Sequence, residues 1–115
     1  MPEPFCLPYA KAALVNLTRG LARTAAADGV LVNSVLPGLT ETDGVKQGFA
    51  KAVEATGRSQ DELLAAMLRR EQLDAGRMGS PAEVAALIAF LVSEQASWIS
   101  GAAYTIDGGT IRTAS

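Results

Sequence analysis

The sequence contains no histidine and only one cysteine, Cys6. The absence of histidine excludes catalytic triads that use an imidazole base and metal sites that use histidine ligands. One cysteine can form neither an internal disulfide nor a thiolate metal cluster, so no metal site is predicted. The formal net charge is −2 and no basic run is present, which argues against nucleic acid as a partner.

Long apolar runs are also absent. No stretch reaches the length that spans a membrane, and the N-terminus lacks a charged segment followed by an apolar one. We therefore expect a soluble protein of the reducing cytoplasm, with no membrane partner.

Aromatic residues make up only 5% of the chain, whereas hydrophobic residues together make up 49% and charged residues 19%. This composition is typical of a globular protein rather than a disordered one. Aliphatic side chains and alanine must therefore form the core. With 115 residues, the chain is long enough for one domain at most.

The stretch 30–42 predicts a central strand around which the other elements are arranged. Its first seven residues are apolar or small except for Asn33, which predicts a parallel strand over 30–36 that is covered on both faces. Pro37 and Gly38 end the strand, because proline cannot donate to a sheet and glycine lets the backbone turn. Thr42 then lies just past the carboxyl end of the strand, where open α/β sheets bind their ligands.

Helical patterns surround this strand. Leucines recur at helical spacing over residues 9 to about 27, and Gly29 can end that helix in the left-handed conformation. A second helix is predicted over 43–55. Two more are predicted to begin at 59–62 and 80–83, where a serine and a glutamate three residues apart can form a capping box.

The C-terminal part of the chain predicts a second strand. The segment 93–100 is polar, with Trp98 as its anchor, and residues 102–106 form a short strand before a tight turn at Asp107-Gly108-Gly109. Two buried strands separated by helices imply a right-handed parallel crossover and an α/β fold. Two strands alone make a poor sheet, so both are expected to need neighbours that these 115 residues do not contain.

Five segments carry a family resemblance. They are Lys11-Ala12-Ala13-Leu14 in a leucine-rich helix, Val32-Asn33-Ser34-Val35 before Pro37-Gly38 and Thr42, the run from Arg77 to Ala85, the run from Phe90 to Glu94 with Ser100-Gly101 after it, and Asp107-Gly108-Gly109. Each segment alone is weak evidence for membership of a family. In this order, over residues 9–109, they resemble the short-chain dehydrogenase/reductase family.

The resemblance implies the C-terminal part of a Rossmann-like, doubly wound parallel sheet, here two short parallel strands with helices. Residues 1–115 would then form a partial domain whose nucleotide-binding N-terminal half is absent, since they contain no glycine-rich phosphate loop. The earlier strand that carries the family's catalytic serine is absent as well.

The resemblance also implies site residues. In the family, the long helix carries a catalytic tyrosine and a lysine that holds the cofactor ribose, and the candidates here are Tyr9 and Lys11. The turn that holds the nicotinamide end of NAD or NADP is matched by Pro37, Gly38, Leu39 and Thr42.

One departure from the family affects the catalytic pair. The family places three residues between the tyrosine and the lysine, whereas the residue four before Lys11 is Leu7, and Tyr9 lies only two before it. Residues two apart on a helix are separated by about 200° around its axis. Tyr9 and Lys11 can act together only if Tyr9 precedes the helix. Otherwise Tyr9 covers the helix end and Lys11 is a solvated charge.

Three other polar residues have structural interpretations. Asn33 is expected to satisfy a neighbouring backbone group rather than a ligand. Arg77 and Glu83 are interpreted as a loop anchor and a helix cap rather than as catalytic groups.

Two functions follow from these observations. The resemblance implies an NAD(P)-dependent oxidoreductase that transfers hydride to or from an alcohol or carbonyl carbon of a small-molecule substrate, with this shortened chain expected to be inactive alone. The alternative is a cofactor-free remnant that acts as a self-associating or partner-binding module. Because half of such a domain exposes a strand edge and the apolar side of the long helix, a homo-oligomer is expected.

Overall fold

The computed structural model describes residues 6–73 and 75–111, with side chains from residue 11 onward. Its elements are α1 (Cys6–Ala25), β1 (Ser34–Pro37), α2 (Asp43–Thr56), α3 (Gln60–Arg70), α4 (Pro81–Leu91) and β2 (Ala103–Ile106). Short 3-10 turns occupy Ala26–Asp28 and Glu94–Ala96. The two strands pair in a parallel sheet, which confirms the predicted α/β fold class.

The helix ends follow from the local sequence, as predicted. Gly29 is left-handed at φ 72° after the 3-10 turn that follows α1, and Gly57 is left-handed at φ 68° after α2. Glycine takes both positions because a side chain is strained at positive φ. The capping box of α3 is complete, since Ser59 Oγ accepts from Glu62 N at 3.2 Å and Glu62 Oε2 accepts from Ser59 N at 3.1 Å.

The chain divides into two compact units. The first comprises Met1–Leu36 and Leu87–Thr105, and the second comprises Pro37–Ala86 and Ile106–Ser115. Among the residues that the structure describes, no helix combines the length and the apolar character that crossing a membrane requires.

In the first unit, a buried pair of hydroxyl groups joins α1 to β1. Thr18 and Ser34 are both buried, and their Oγ atoms are in hydrogen-bond contact. Thr18 donates its single hydroxyl hydrogen to the carbonyl oxygen of Leu14 at 2.9 Å. Ser34 is therefore the donor in the contact between the two hydroxyls, because each hydroxyl has one hydrogen to give.

The start of β1 differs from the prediction. The sequence predicts a strand from residue 30, whereas β1 begins at Ser34. Backbone bonds from Gly101 N to Val32 O at 2.7 Å and from Ser34 N to Ala102 O at 2.9 Å flank Asn33, whose side chain bonds to the same segment before β2. Asn33 Nδ2 donates to the carbonyl oxygen of Ile99 at 2.9 Å, and its Oδ1 accepts from the amide of Ala102 at 3.1 Å. The prediction that Asn33 satisfies neighbouring backbone groups is thereby confirmed.

Two predictions about burial are wrong. Val30 and Leu31 are 50% and 43% exposed rather than covered on both faces, because they precede the strand and are not held within the sheet. Trp98 is 97% exposed and is not an anchor. The 3-10 turn just before it buries the methyl group of Ala96 instead.

In the second unit, α2 packs against α3 through apolar side chains. Phe49 is buried, with 6% of its surface exposed. It lines a groove of about 350 Å³ whose other side chains include Val45 on α2 and Leu63 and Met67 on α3. These residues recur at helical spacing on their own helices, so one apolar face of each helix meets the other.

The predicted tight turn after β2 is confirmed. Asp107 holds it, with Oδ1 accepting from Gly109 N at 3.0 Å and Oδ2 accepting from Ile111 N at 2.8 Å. Gly108 and Gly109 have φ values of 64° and 84°, which favour glycine. A side chain at 108 would also lie 3.0 Å from the Cβ of Ala75. The carboxylate and the two glycines together fix the path of this turn.

Candidate functional site

Tyr9 and Lys11 both lie within α1, which begins at Cys6. The arrangement in which Tyr9 precedes the helix is therefore not the one observed. Two positions apart, the residues are separated by about 200° around the helix axis. The side chain of Lys11 is exposed. An acid–base role for this pair stays a prediction.

The other predicted residues form a compact turn after β1, residues 38–42. Pro37 is the last residue of β1, and the amide of Gly38 extends the pairing by donating to the carbonyl oxygen of Ile106 at 2.9 Å. Thr40 Oγ1 then donates to the Gly38 carbonyl oxygen at 3.0 Å, and the Thr42 amide donates to the Thr40 carbonyl oxygen at 2.8 Å. These bonds stabilise the turn between the strand and α2.

Gly38 is required by a close approach of the backbone. A Cβ at this position would lie 2.6 Å from the Cβ of Asp107 and 2.7 Å from its Cα. Carbon atoms in contact are normally about 3.5–4.0 Å apart. The absence of a side chain at Gly38 therefore lets the exit of β1 lie against the exit of β2.

Three hydrogen-bond donors of the 38–42 turn have no acceptor among the described residues. Two are the backbone amides of Leu39 and Thr40. The third is the hydroxyl hydrogen of Thr42, whose Oγ1 caps α2 by accepting from the amide of Val45 at 3.3 Å. The cap fixes the oxygen and leaves its hydrogen available. Such donors, at the carboxyl end of a parallel strand, lie where open α/β sheets bind their ligands.

Gly79 pairs with the same turn. Its amide donates to the carbonyl oxygen of Leu39 at 2.9 Å, and its carbonyl oxygen accepts from the amide of Glu41 at 2.8 Å. The two bonds form a parallel bridge between Gly79 and Thr40. The turn is thereby attached to the loop that leads into α4.

An arginine–glutamate pair holds this loop. Arg77 donates to Glu83 through two parallel bonds, Nη1 to Oε2 at 2.9 Å and Nη2 to Oε1 at 2.7 Å. Glu83 also caps α4, because Oε2 accepts from Ser80 N at 2.8 Å while Ser80 Oγ accepts from Glu83 N at 3.2 Å. The bonds from Arg77 and then from Ser80 lower the pKa of Glu83 to about 2, so it is ionised at neutral pH. The predicted anchor and cap are confirmed.

The pocket beside the 38–42 turn is small, and the larger groove lies away from the predicted site residues. A pocket of about 120 Å³ is lined by Leu39, Thr40 and Asp107 together with the loop before α4. It falls below the size of about 300 Å³ at which ligand pockets usually begin. A groove of about 600 Å³ in the first unit is lined by none of the predicted site residues. The open donors of the 38–42 turn, rather than an enclosed cavity, are the candidate site.

Sequence reasoning missed the part that Gly79 and Asp107 play at this turn. The sequence predicted no separate role for Gly79 and placed Asp107 only at the start of a turn. The sequence signal for a close backbone approach at this loop was the glycine between Arg77, the predicted loop anchor, and Ser80, the predicted helix cap. That signal does not reveal that Gly79 pairs with Thr40, which lies far from it in the chain.

The chain is similar in sequence to a known protein family and to individual proteins. Residues 3–110 match a family whose profile is described as enoyl-(acyl carrier protein) reductase. An uncharacterised oxidoreductase of Bacillus subtilis, YvrD, is 38% identical over 116 residues that cover 97% of this chain and 44% of the relative.

Two solved structures are similar at 31% identity. A short chain dehydrogenase family protein from Francisella tularensis matches with a TM-score of 0.80 over 96% of this chain and 45% of that one. An NADPH-bound short chain oxidoreductase from Pseudomonas aeruginosa, described as having an atypical catalytic center, matches with a TM-score of 0.82 over 99% of this chain and 42% of that one. The chain thus spans less than half the length of each of these relatives.

Proposed function

Because the chain belongs to the short-chain dehydrogenase/reductase family, we propose that residues 1–115 form the C-terminal part of one Rossmann-like oxidoreductase domain. The proposed reaction is hydride transfer between NAD(P) and an alcohol or carbonyl carbon of a small molecule. These 115 residues contain no glycine-rich phosphate loop, so the adenosine end of the cofactor requires residues outside them. Alone, the chain is expected to be inactive.

The observation that supports this proposal is the set of open donors at the end of β1. The amides of Leu39 and Thr40 and the hydroxyl of Thr42 can donate to the carboxamide oxygen of a nicotinamide ring. Pro37 and Gly38 bring the backbone to this position at the strand's carboxyl end. The cofactor would supply the hydride, and the turn would hold and orient the ring that carries it.

Tyr9 and Lys11 are the proposed acid–base candidates on α1. Lys11, with its exposed side chain, is proposed to hold the cofactor ribose. Tyr9 is proposed as the proton donor to the substrate oxygen, in the manner that the family resemblance implies. Their spacing on α1 places them about 200° apart, which supports the expectation that this chain alone does not turn over substrate.

Titration of the chain with NADPH, and separately with NADH, tests the proposal. Amide resonances of Leu39, Thr40 and Thr42 are expected to shift at millimolar cofactor, because the donors of the turn engage the carboxamide. Replacing Thr42 by valine removes the hydroxyl and is expected to weaken this binding about tenfold. Two-dimensional NMR of the labelled chain gives both the amide shifts and, from their dependence on cofactor concentration, the dissociation constant.

The matched control is Thr24→Val on α1, since Thr24 is an exposed threonine whose hydroxyl donates to the Gly20 carbonyl oxygen at 3.1 Å. It is expected to leave cofactor binding unchanged. If neither NADPH nor NADH shifts the resonances of the turn at millimolar concentration, the proposed role of the turn is wrong.

A second function, self-association, is favoured by an apolar face on α1. Leu14, Leu17 and Leu21 are 55%, 55% and 48% exposed, and their spacing places them on one side of the helix. Exposed apolar faces of this kind mark protein–protein contacts. We propose that α1 pairs with α1 of a second copy.

Light scattering is expected to give a wild-type mass of at least twice the 11.9 kDa of one chain. Leu17→Glu places a charge on the proposed interface and is expected to return the protein to a monomer. Val92→Glu is the control, because Val92 is 81% exposed but lies outside α1. A monodisperse 11.9 kDa wild-type protein would contradict the proposal.

A further inference from the structure

The carboxylate of Glu83 holds both ends of a four-residue loop. Its Oε2 accepts from Arg77 Nη1 at 2.9 Å and from Ser80 N at 2.8 Å, and its Oε1 accepts from Arg77 Nη2 at 2.7 Å. Arg77 Nη1 also donates to the carbonyl oxygen of Met78 at 3.0 Å. The only loop residue that these bonds do not touch is Gly79, which lies between Met78 and Ser80.

Gly79 is the residue through which the loop contacts the 38–42 turn. Both of its backbone polar groups are used, one toward Leu39 and one toward Glu41. The peptide groups of Gly79 therefore set the direction of the backbone at Thr40, whose amide is one of the open donors. A shift of the loop would move this part of the turn.

The second capping box in the chain lacks the arginine. Ser59 and Glu62 exchange the same two bonds at the start of α3, with distances of 3.1 and 3.2 Å, and no arginine donates to Glu62 among the described residues. A serine–glutamate cap therefore forms without an arginine. Arg77 is therefore not needed to cap α4, and its bonds to Glu83 serve instead to connect the loop to the start of the helix.

We propose that Arg77 and Glu83 are positioning residues that hold Gly79 against the 38–42 turn and so set the direction of the turn's cofactor-facing donors. The pair touches no candidate ligand group itself. It is exposed, with 63% of the Arg77 side chain and 43% of the Glu83 side chain accessible. Exposed pairs contribute little to overall stability, so its effect is expected to be local. The expected loss of cofactor binding rests on the proposed function, whereas the expected loosening of the 38–42 turn does not.

Hydrogen exchange of single amides in the full chain tests the local effect. Arg77→Met and Glu83→Gln are each expected to speed exchange of the Glu41 and Gly79 amides about tenfold, because the bridge opens more often. The Ser34 amide, which donates to the carbonyl oxygen of Ala102 just before β2, is expected to keep its wild-type rate. Glu62→Gln is the matched control, and it is expected to leave the Glu41 and Gly79 rates unchanged.

Two outcomes of the exchange experiment would overturn the proposal. One is wild-type exchange at Glu41 and Gly79 in both variants. The other is equal acceleration at Ser34, which would indicate general destabilisation rather than positioning. Arg77→Lys keeps the charge but loses the two parallel bonds, and it is expected to give an intermediate rate if geometry is what matters.

A cofactor titration separates this proposal from the proposed function. Arg77→Met is expected to reduce the NADPH-induced shift of the Thr42 amide while the melting temperature changes little. If the wild-type chain shows no NADPH-induced shift, the proposed function fails, and the exchange rates still decide whether Arg77 and Glu83 position the turn. If NADPH shifts wild type and Arg77→Met equally, the positioning role fails and the proposed function stands.

Discussion

Replacing Gly38 by alanine is expected to lower the free energy of unfolding by about 2–3 kcal/mol. The new Cβ would lie 2.6 Å from the Cβ of Asp107 and 2.7 Å from its Cα, so either the exit of β1 or the turn after β2 must move. Neither neighbour is the flexible end of a side chain. Urea unfolding followed by circular dichroism measures the change.

Gly48→Ala is the matched control for this substitution. Gly48 lies in α2 with open space where a Cβ would be, so alanine is expected to stabilise the chain by about 0.5–1 kcal/mol through its higher helix propensity. The two substitutions should therefore have opposite signs. Equal stability of Gly38→Ala and wild type would show that the contact with Asp107 does not constrain the chain.

Replacing Phe49 by alanine is expected to cost about 3 kcal/mol or more. The ring is 6% exposed and lines the groove between α2 and α3 beside Leu63 and Met67. Its removal takes away the buried aromatic contact between the two helices and leaves a cavity. Few large side chains are buried among the described residues, so little else can compensate.

Phe90→Ala provides the comparison, because Phe90 on α4 is 41% exposed. The smaller buried area predicts a cost of about 1 kcal/mol. The same urea experiment compares the two variants directly. A cost for Phe49→Ala no greater than that for Phe90→Ala would mean that the α2–α3 contact contributes little to the folded state.

Local patterns predicted the helices well. The caps at Gly29 and Ser59 depend on residues within one turn of each other, so the sequence alone contains the necessary information. The Rossmann-like α/β class, which was inferred from ordered motifs, is confirmed by solved structures at TM-scores of 0.80 and 0.82.

Contacts between distant segments were harder to predict. The side chain of Asn33 bonds to Ile99 and Ala102, and no local pattern encodes these long-range contacts. The same holds for Gly79, whose pairing with the 38–42 turn gives the candidate site its shape. Motif matching predicted Thr42 as a site residue, whereas no local pattern indicated that its oxygen caps α2 by accepting from Val45 N.

The sheet itself has a practical consequence for handling the protein. β1 and β2 each have one partner within the described residues, so each strand has a second side with backbone groups that no strand covers. Such sides act as templates for further strand addition. Concentrated stocks of the isolated chain are therefore expected to form fibrillar or amorphous deposits during storage, and dye-binding assays over several days would record their growth.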